Sequence, residues 1–106
     1  MTITVSTSTP ALFQPIKVGD VTLAHRVVLA PQTRFRADAA HVHTDLGVTF
    51  YEQRASVPGT LLITEGAFIC PHASGQPHVP GIWNDAQIAA WKKVRRFCLP
   101  SVTVGY

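Results

Sequence analysis

Histidine and cysteine side chains that could bind a metal ion lie in two polar segments of this sequence. Cys70, His72 and His78 fall in one loop, and His41 and His43 alternate in another. The spacing in the first loop matches no common structural-zinc pattern, and the sequence offers no obvious fourth ligand. We expect both alternating histidines to face solvent, so the sequence predicts no metal site.

Other chemical motifs are missing or open to two interpretations. The sequence contains no Gly-x-Ser-x-Gly elbow, no Gly-x-Gly-x-x-Gly fingerprint and no Walker loop. Glu65 directly follows an apolar run. It is either a carboxyl group with a perturbed pKa in a working site or a structural acid beneath one. The residue types alone therefore identify no catalytic group.

Basic residues concentrate near one end of the chain. The net charge is +3, and four of the nine basic residues are Lys92, Lys93, Arg95 and Arg96. Such a cluster can contact phosphates, but no aromatic platform or glycine-rich RNA motif accompanies it. We interpret the cluster as a solvated helix end and predict no nucleic-acid partner.

Cysteine usage and the first residues favour a cytoplasmic protein. Cys70 and Cys98 are the only cysteines, too few for a disulfide framework, which indicates a reduced compartment. Residues 1–10 have neither the basic nor the apolar region of a secretory signal, and we predict that they form a disordered leader. No apolar run approaches the ~20 residues of a membrane span, so we expect no membrane partner.

Short apolar runs separated by turn residues predict the first elements. Ile16–Val18 and Val21–Leu23 flank a Gly-Asp turn, a pattern typical of a β-hairpin. Val27–Ala30 is a continuous apolar run, as expected for a strand buried on both faces of a parallel sheet. Pro31 cannot donate a backbone hydrogen bond, so this strand should end there.

A helix and another strand follow. Asp45–Ala55 divides into faces at helical spacing, and Pro58-Gly59 breaks that pattern. Thr60–Thr64 is a second apolar run with strand character. Strand, helix and strand in this order predict a right-handed βαβ unit.

A second helix is predicted from its cap. Asn84 is a good N-cap residue, and Gln87 stands three positions further on as a capping-box partner. The pattern then continues to about residue 93 at helical spacing. Ile88, Trp91 and Val94 are predicted to face inward.

Five segments of the sequence carry a family resemblance when they are taken together. They are LFQPIKVG, HRVVLAPQTRFRA, YEQRASVPGTLLITEGAF, VPGIW and QIAAWKKV. Their order and spacing over residues 12–94 resemble those of the old yellow enzymes, which are FMN-dependent ene-reductases built on a (β/α)8 barrel. Within that family the sequence is similar to fungal members, including enzymes that reduce chanoclavine-I aldehyde in ergot-alkaloid biosynthesis.

The resemblance implies an α/β fold, namely the N-terminal fragment of a (β/α)8 TIM barrel with its hairpin and first two βα units. Barrels of this type typically have about 250 residues, whereas this chain has 106. We therefore expect residues 11–94 to be a truncated part of an FMN-binding barrel. Residues 95–106 are expected to be a divergent tail left by a frameshift, a mis-spliced intron or an early stop. Uncovered strand edges predict marginal stability.

The resemblance also implies cofactor-binding roles for four residues. Pro31 and Gln32 would lie under the flavin ring and offer backbone groups, and Thr33 would hydrogen-bond near flavin O4. Gly66 would let the backbone approach the isoalloxazine. All four follow strands, at the end where barrel active sites assemble. The resemblance favours the structural interpretation of Glu65.

In the family, NADPH reduces FMN, and the flavin passes a hydride to an α,β-unsaturated carbonyl. The groups that grip the substrate, donate the proton and bind the phosphate lie in later segments of relatives, and RRFCLPSVTVGY lacks the glutamine of the third strand. We therefore predict no catalytic residue, no FMN bound by this fragment alone and an inactive homologue.

Two alternatives stay open. One is a half-enzyme that is complemented by a separately encoded remainder of the barrel. The other is a non-catalytic module that binds a protein partner through its strand edges or its basic cluster. In either case exposed strand edges also favour self-association.

Overall fold

The computed structural model describes residues 8–98 and the backbone of residues 102–104. A two-stranded antiparallel hairpin precedes a three-stranded parallel sheet in the order β3-β4-β5, and two helices connect the strands of that sheet. Within this part of the chain, no helix is long and apolar enough to cross a membrane. The elements are β1 (Ile16–Val18), β2 (Val21–Leu23), β3 (Val28–Leu29), α1 (Asp45–Arg54), β4 (Leu61–Ile63), α2 (Asp85–Phe97) and β5 (Val102–Val104).

The predicted hairpin is present with the expected turn. Ile16 pairs with Leu23 and Val18 with Val21. Gly19 adopts a φ of 58°, which glycine reaches without steric cost. Leu23 is buried.

The predicted strand-helix-strand unit is also present. β3 and β4 are parallel, with Val28 opposite Leu61 and Leu29 opposite Leu62. α1 shares a core with Leu62 of β4, and α2 contacts α1. The core that these elements bury consists of Val48, Tyr51, Ala55, Leu62, Val94 and Cys98.

The first strand of the parallel sheet is less buried than the sequence predicted. The apolar run Val27–Ala30 forms only the two-residue strand β3, and Val27 and Val28 are 46% and 39% exposed. A strand is buried on both faces only when elements cover both. β3 is an edge strand of the described sheet, and its apolar side chains are partly exposed.

The segment after α2 contains a strand that the predicted hairpin and two βα units did not include. β5 pairs in parallel with β4, with Leu61 opposite Val102 and Ile63 opposite Val104, which places β4 in the centre of the sheet. Its β-branched residues favour extended backbone, and α2 is long enough to serve as the crossover that a parallel pair requires. The predicted leader falls mainly on residues 1–7, outside the described ranges.

α2 has the predicted N-cap but a different inner face. The Asn84 side chain accepts a hydrogen bond from the Gln87 backbone N–H at 3.0 Å. Val94 is buried and Trp91 is half-buried as predicted, but Ile88 is exposed. Gln87 takes the inner position instead. Its side-chain amide donates to the Ala40 carbonyl and accepts from the backbone N–H of Trp83.

Removing the cap should weaken the chain measurably. We expect Asn84→Ala to lower the free energy of unfolding by about 1 kcal/mol, since the cap oxygen satisfies a backbone donor that is otherwise unpaired. Asn84→Asp keeps an accepting oxygen and is the matched control. Urea unfolding followed by circular dichroism measures both, and equal losses for the two variants would contradict a capping role.

Candidate functional site

A cleft opens where the first two parallel strands end. It has a volume of about 820 Å³, and its residues come from the segments after β3 and β4 and from α2. Barrel enzymes assemble their active sites at this end of the strands. The lining residues are Pro31, Ile63, Thr64, Glu65, Gly66, Ala67, Ile69, Ile82, Trp91, Val94 and Arg95.

The four predicted flavin-binding residues lie at this end of the sheet, but they do not all line the cleft. Pro31 and Gly66 line it together. Gln32 and Thr33 follow Pro31 and are exposed, outside the cleft wall. A Cβ added at Gly66 would meet no atom within 4 Å, so within the described chain this glycine borders open space.

The wall of the cleft is largely apolar. Ile63, Ala67, Ile69 and Ile82 give it apolar walls, which is usual for sites that bind a ring system. Arg95 adds a positive charge at its border. The residues present therefore fit part of a flavin site.

Glu65 is buried beneath the cleft and holds two neighbouring segments. Its Oε2 accepts a hydrogen bond from the backbone N–H of Arg34 at 3.0 Å, and its Oε1 accepts from the Tyr51 hydroxyl at 3.3 Å. The same hydroxyl accepts from Glu65 N–H at 2.9 Å. Burial raises the pKa of Glu65 and also that of Tyr51. The carboxyl group thus joins the segment after β3 to α1, as the structural interpretation expects.

His43 does not face solvent, contrary to the prediction from its alternation with His41. Its side chain is 0% exposed, and its Nε2 lies 3.7 Å from Glu65 Oε1. The ring makes edge contacts with Trp91 and Tyr51, at centroid distances of 4.3 and 6.0 Å. Burial lowers the pKa of His43 to about 4, so the imidazole is neutral at physiological pH.

A glycine in α1 was the sequence feature that could have located this histidine. Gly47 lies four residues after His43, inside a helix, where glycine is disfavoured. A Cβ added at Gly47 would lie 2.4 Å from His43 Nδ1. The glycine therefore makes room for the buried ring.

The other histidines and the cysteines form no metal site in the described part of the chain. No group of three or more histidine, cysteine, aspartate or glutamate residues there is placed to hold an ion. His41 Nδ1 lies 2.6 Å from the Val79 carbonyl, and His78 Nδ1 lies 2.9 Å from the Ala37 carbonyl. Both rings thus tie loops together.

The basic cluster on α2 is divided between two surroundings. Lys93 forms an exposed ion pair with Asp45 of α1, and Arg95 borders the cleft. Lys92 and Arg96 are exposed.

Comparison with known proteins gives consistent matches over most of the chain. Residues 11–96 match the NADH:flavin oxidoreductase / NADH oxidase family. The chain is 55% identical over 87 residues to the probable inactive dehydrogenase easA of Claviceps purpurea, covering 82% of this chain and 23% of that protein. It is 48% identical over 94 residues to the chanoclavine-I aldehyde reductase ifgG of Penicillium roqueforti, covering 89% and 25%.

Solved structures give the same result for the fold. The old yellow enzyme of a Pichia species has a TM-score of 0.85 and 40% identity, over 90% of this chain and 25% of that one. An old yellow enzyme homologue of Zymomonas mobilis has a TM-score of 0.82 and 39% identity, over 91% and 27%. The chain therefore spans about a quarter of the length of the proteins it matches.

Proposed function

The chain belongs to the NADH:flavin oxidoreductase / NADH oxidase family, and we propose that it supplies one wall of the flavin site of an FMN-dependent ene-reductase barrel without completing a catalytic site. Family membership confirms the predicted resemblance to the old yellow enzymes, and the structural similarity confirms the predicted part-barrel fold. The observation that carries the proposal is the cleft at the ends of β3 and β4, which Pro31 and Gly66 line together.

In this proposal the residues after β3 and β4 hold the flavin ring. FMN, when bound, supplies hydride transfer from a reduced nicotinamide to an α,β-unsaturated carbonyl. Pro31 and Gln32 would offer backbone groups to the ring, and the exposed Thr33 hydroxyl would hydrogen-bond near flavin O4. Gly66 would leave room for close approach of the ring. Glu65 would hold the segment after β3 in place through Arg34 N–H.

The substrate class is proposed by analogy with the relatives. One similar protein is named a chanoclavine-I aldehyde reductase and another a probable inactive dehydrogenase. We assign the chain to the same group, as an inactive homologue of enzymes that reduce unsaturated aldehydes in ergot-alkaloid biosynthesis. We also assign it to the cytoplasm, because two cysteines in the sequence are too few for a disulfide framework.

Titration with FMN tests the proposal directly. We expect the purified chain to show no saturable absorbance or fluorescence change at micromolar FMN and no NADPH-dependent enone reduction. The reason is that, in this proposal, the chain supplies only one wall of the flavin site. A full-length relative, titrated in parallel, is the positive control. Saturable binding, or protein that is yellow when purified, would contradict the proposal.

A second candidate is a half-enzyme, which the open edge of β3 favours. Val27 and Val28 are partly exposed there, whereas every strand of a closed barrel has two neighbours. To test the half-enzyme, the chain is co-expressed with the remaining βα units of a relative, and the purified product is titrated with FMN. A stoichiometric yellow complex would support the half-enzyme, and recovery of the chain alone and colourless would exclude it for that partner.

A further inference from the structure

An imidazole and a carboxyl group meet beneath the cleft without a hydrogen bond between them. The side chains of His43 and Glu65 are 0% and 1% exposed, and His43 Nε2 lies 3.7 Å from Glu65 Oε1. Neither ring nitrogen of His43 has a hydrogen-bond partner among the residues that the structure describes. Buried polar groups are almost always paired, so this arrangement calls for a specific protonation state.

We infer that His43 and Glu65 form an uncharged pair that shares one buried proton, and that through this pair Glu65 positions the backbone at Arg34, next to the flavin-side segment Pro31–Thr33. Only the description of Pro31–Thr33 as the flavin-side segment rests on the proposed function. The shared proton and the hydrogen bond between Glu65 and the backbone N–H of Arg34 do not depend on that function.

The two oxygens of Glu65 can serve both partners when the group is protonated. Oε2 accepts from the backbone N–H of Arg34, and it is the stronger acceptor when it is the carbonyl oxygen of the protonated group. A proton on Oε1 would be donated to His43 Nε2 after a small approach of the two groups. By accepting the proton from Oε1, His43 keeps it away from Oε2. His43 is therefore a positioning residue, which acts on Arg34 through Glu65.

Burial favours the uncharged form of both groups. It raises the pKa of Glu65 and lowers that of His43 to about 4. Two other titratable groups face Glu65, namely Tyr51 of α1 and Arg34 after β3. Cys98 at the end of α2 faces Tyr51. Burial raises the pKa of Tyr51, so its hydroxyl is neutral. The charge and the backbone N–H of Arg34 lower the pKa of Glu65, but burial has the larger effect and the net shift is upward.

Infrared spectroscopy of the intact chain tests the protonation state. At pH 6 exposed carboxyl groups are ionised, because their pKa values lie near 4. We expect a protonated carboxylic-acid band in the wild-type protein at this pH and its loss in Glu65→Gln. Absence of the band from folded wild-type protein would overturn the inference, and this outcome requires no variant.

Hydrogen exchange of the Arg34 amide tests the positioning role. Glu65→Gln can still accept from the backbone N–H of Arg34 and donate to His43, so protection of the Arg34 amide should stay within about twofold of wild type. In Glu65→Ala the protection of this amide should fall about tenfold or more. A tenfold change corresponds to a pairing energy of roughly 1.4 kcal/mol. His43→Ala should lose protection, and His43→Gln, whose amide oxygen can accept the proton, should restore it. Equal protection in His43→Ala and wild type would overturn the role of His43.

Neither measurement uses flavin, so a negative result for the shared proton or for the positioning of Arg34 is distinct from a failure of the proposed function. Circular dichroism confirms that each variant is folded before exchange is compared. If an alanine variant unfolds, the comparison of wild type with the two glutamine variants still decides the matter: loss of Arg34 protection in folded Glu65→Gln would show that the carboxylate, and not a protonated acid, holds Arg34.

Discussion

Replacement of Gly47 by alanine is expected to destabilise the chain by about 1–3 kcal/mol, the usual cost of overpacking a core. In an open helix the same change would stabilise by about 1 kcal/mol. The difference arises because the new Cβ would lie 2.4 Å from His43 Nδ1. The ring has no room to retreat, since it is buried and contacts Trp91 at a centroid distance of 4.3 Å. Urea unfolding followed by circular dichroism measures the effect.

A double-mutant cycle identifies the clash as its cause. His43→Ala removes the atom that the new methyl group meets, so in that background Gly47→Ala should be neutral or stabilising. Coupling energies between residues in contact reach about 3 kcal/mol. If Gly47→Ala costs the same with and without the imidazole, the buried position of His43 is wrong.

The elements that the sequence predicted correctly are those that short-range chemistry determines. A Gly-Asp pair between two apolar runs favours a tight turn, and the structure places Gly19 at positive φ. Asn84 followed by Gln87 predicts a helix start because the cap bond involves only nearby backbone. β3 ends at Leu29, two residues before Pro31, which cannot donate a backbone hydrogen bond to continue it. None of these features depends on distant parts of the chain.

The features that the sequence predicted wrongly depend on which segments meet. His43 is buried because α1, α2 and the end of β4 enclose it, and alternation with His41 contains no information about that enclosure. Val27 and Val28 have the apolar character of a buried strand, yet β3 lies at the sheet edge. The cleft that Pro31 and Gly66 share also depends on distant segments, because β3 and β4 are parallel neighbours. Only the family resemblance, and no local pattern, predicted that these two residues lie near each other.

Truncation of Leu62 should have the largest effect of any single change considered. The residue is 0% exposed and lies in β4, the central strand of the described sheet, where it packs in the core with Tyr51 and Val94. Leu62→Ala should lower the free energy of unfolding by about 2–5 kcal/mol, since it removes buried methyl groups and leaves a cavity. Domains are stable by only about 5–15 kcal/mol, so the cooperative transition should shift markedly or disappear.

Leu46→Ala is the matched control, because the chemical change is identical but the side chain is 61% exposed on α1. A surface substitution of this kind should stay within about 0.5 kcal/mol of wild type. The difference between the two variants measures how specifically the core is packed. In a loosely collapsed chain the two leucines would be nearly equivalent, and both changes would have small effects on a broad transition. A large cost for Leu62→Ala alone, on a sharp transition, would establish that this quarter-length relative of the old yellow enzymes packs a core without the rest of a barrel.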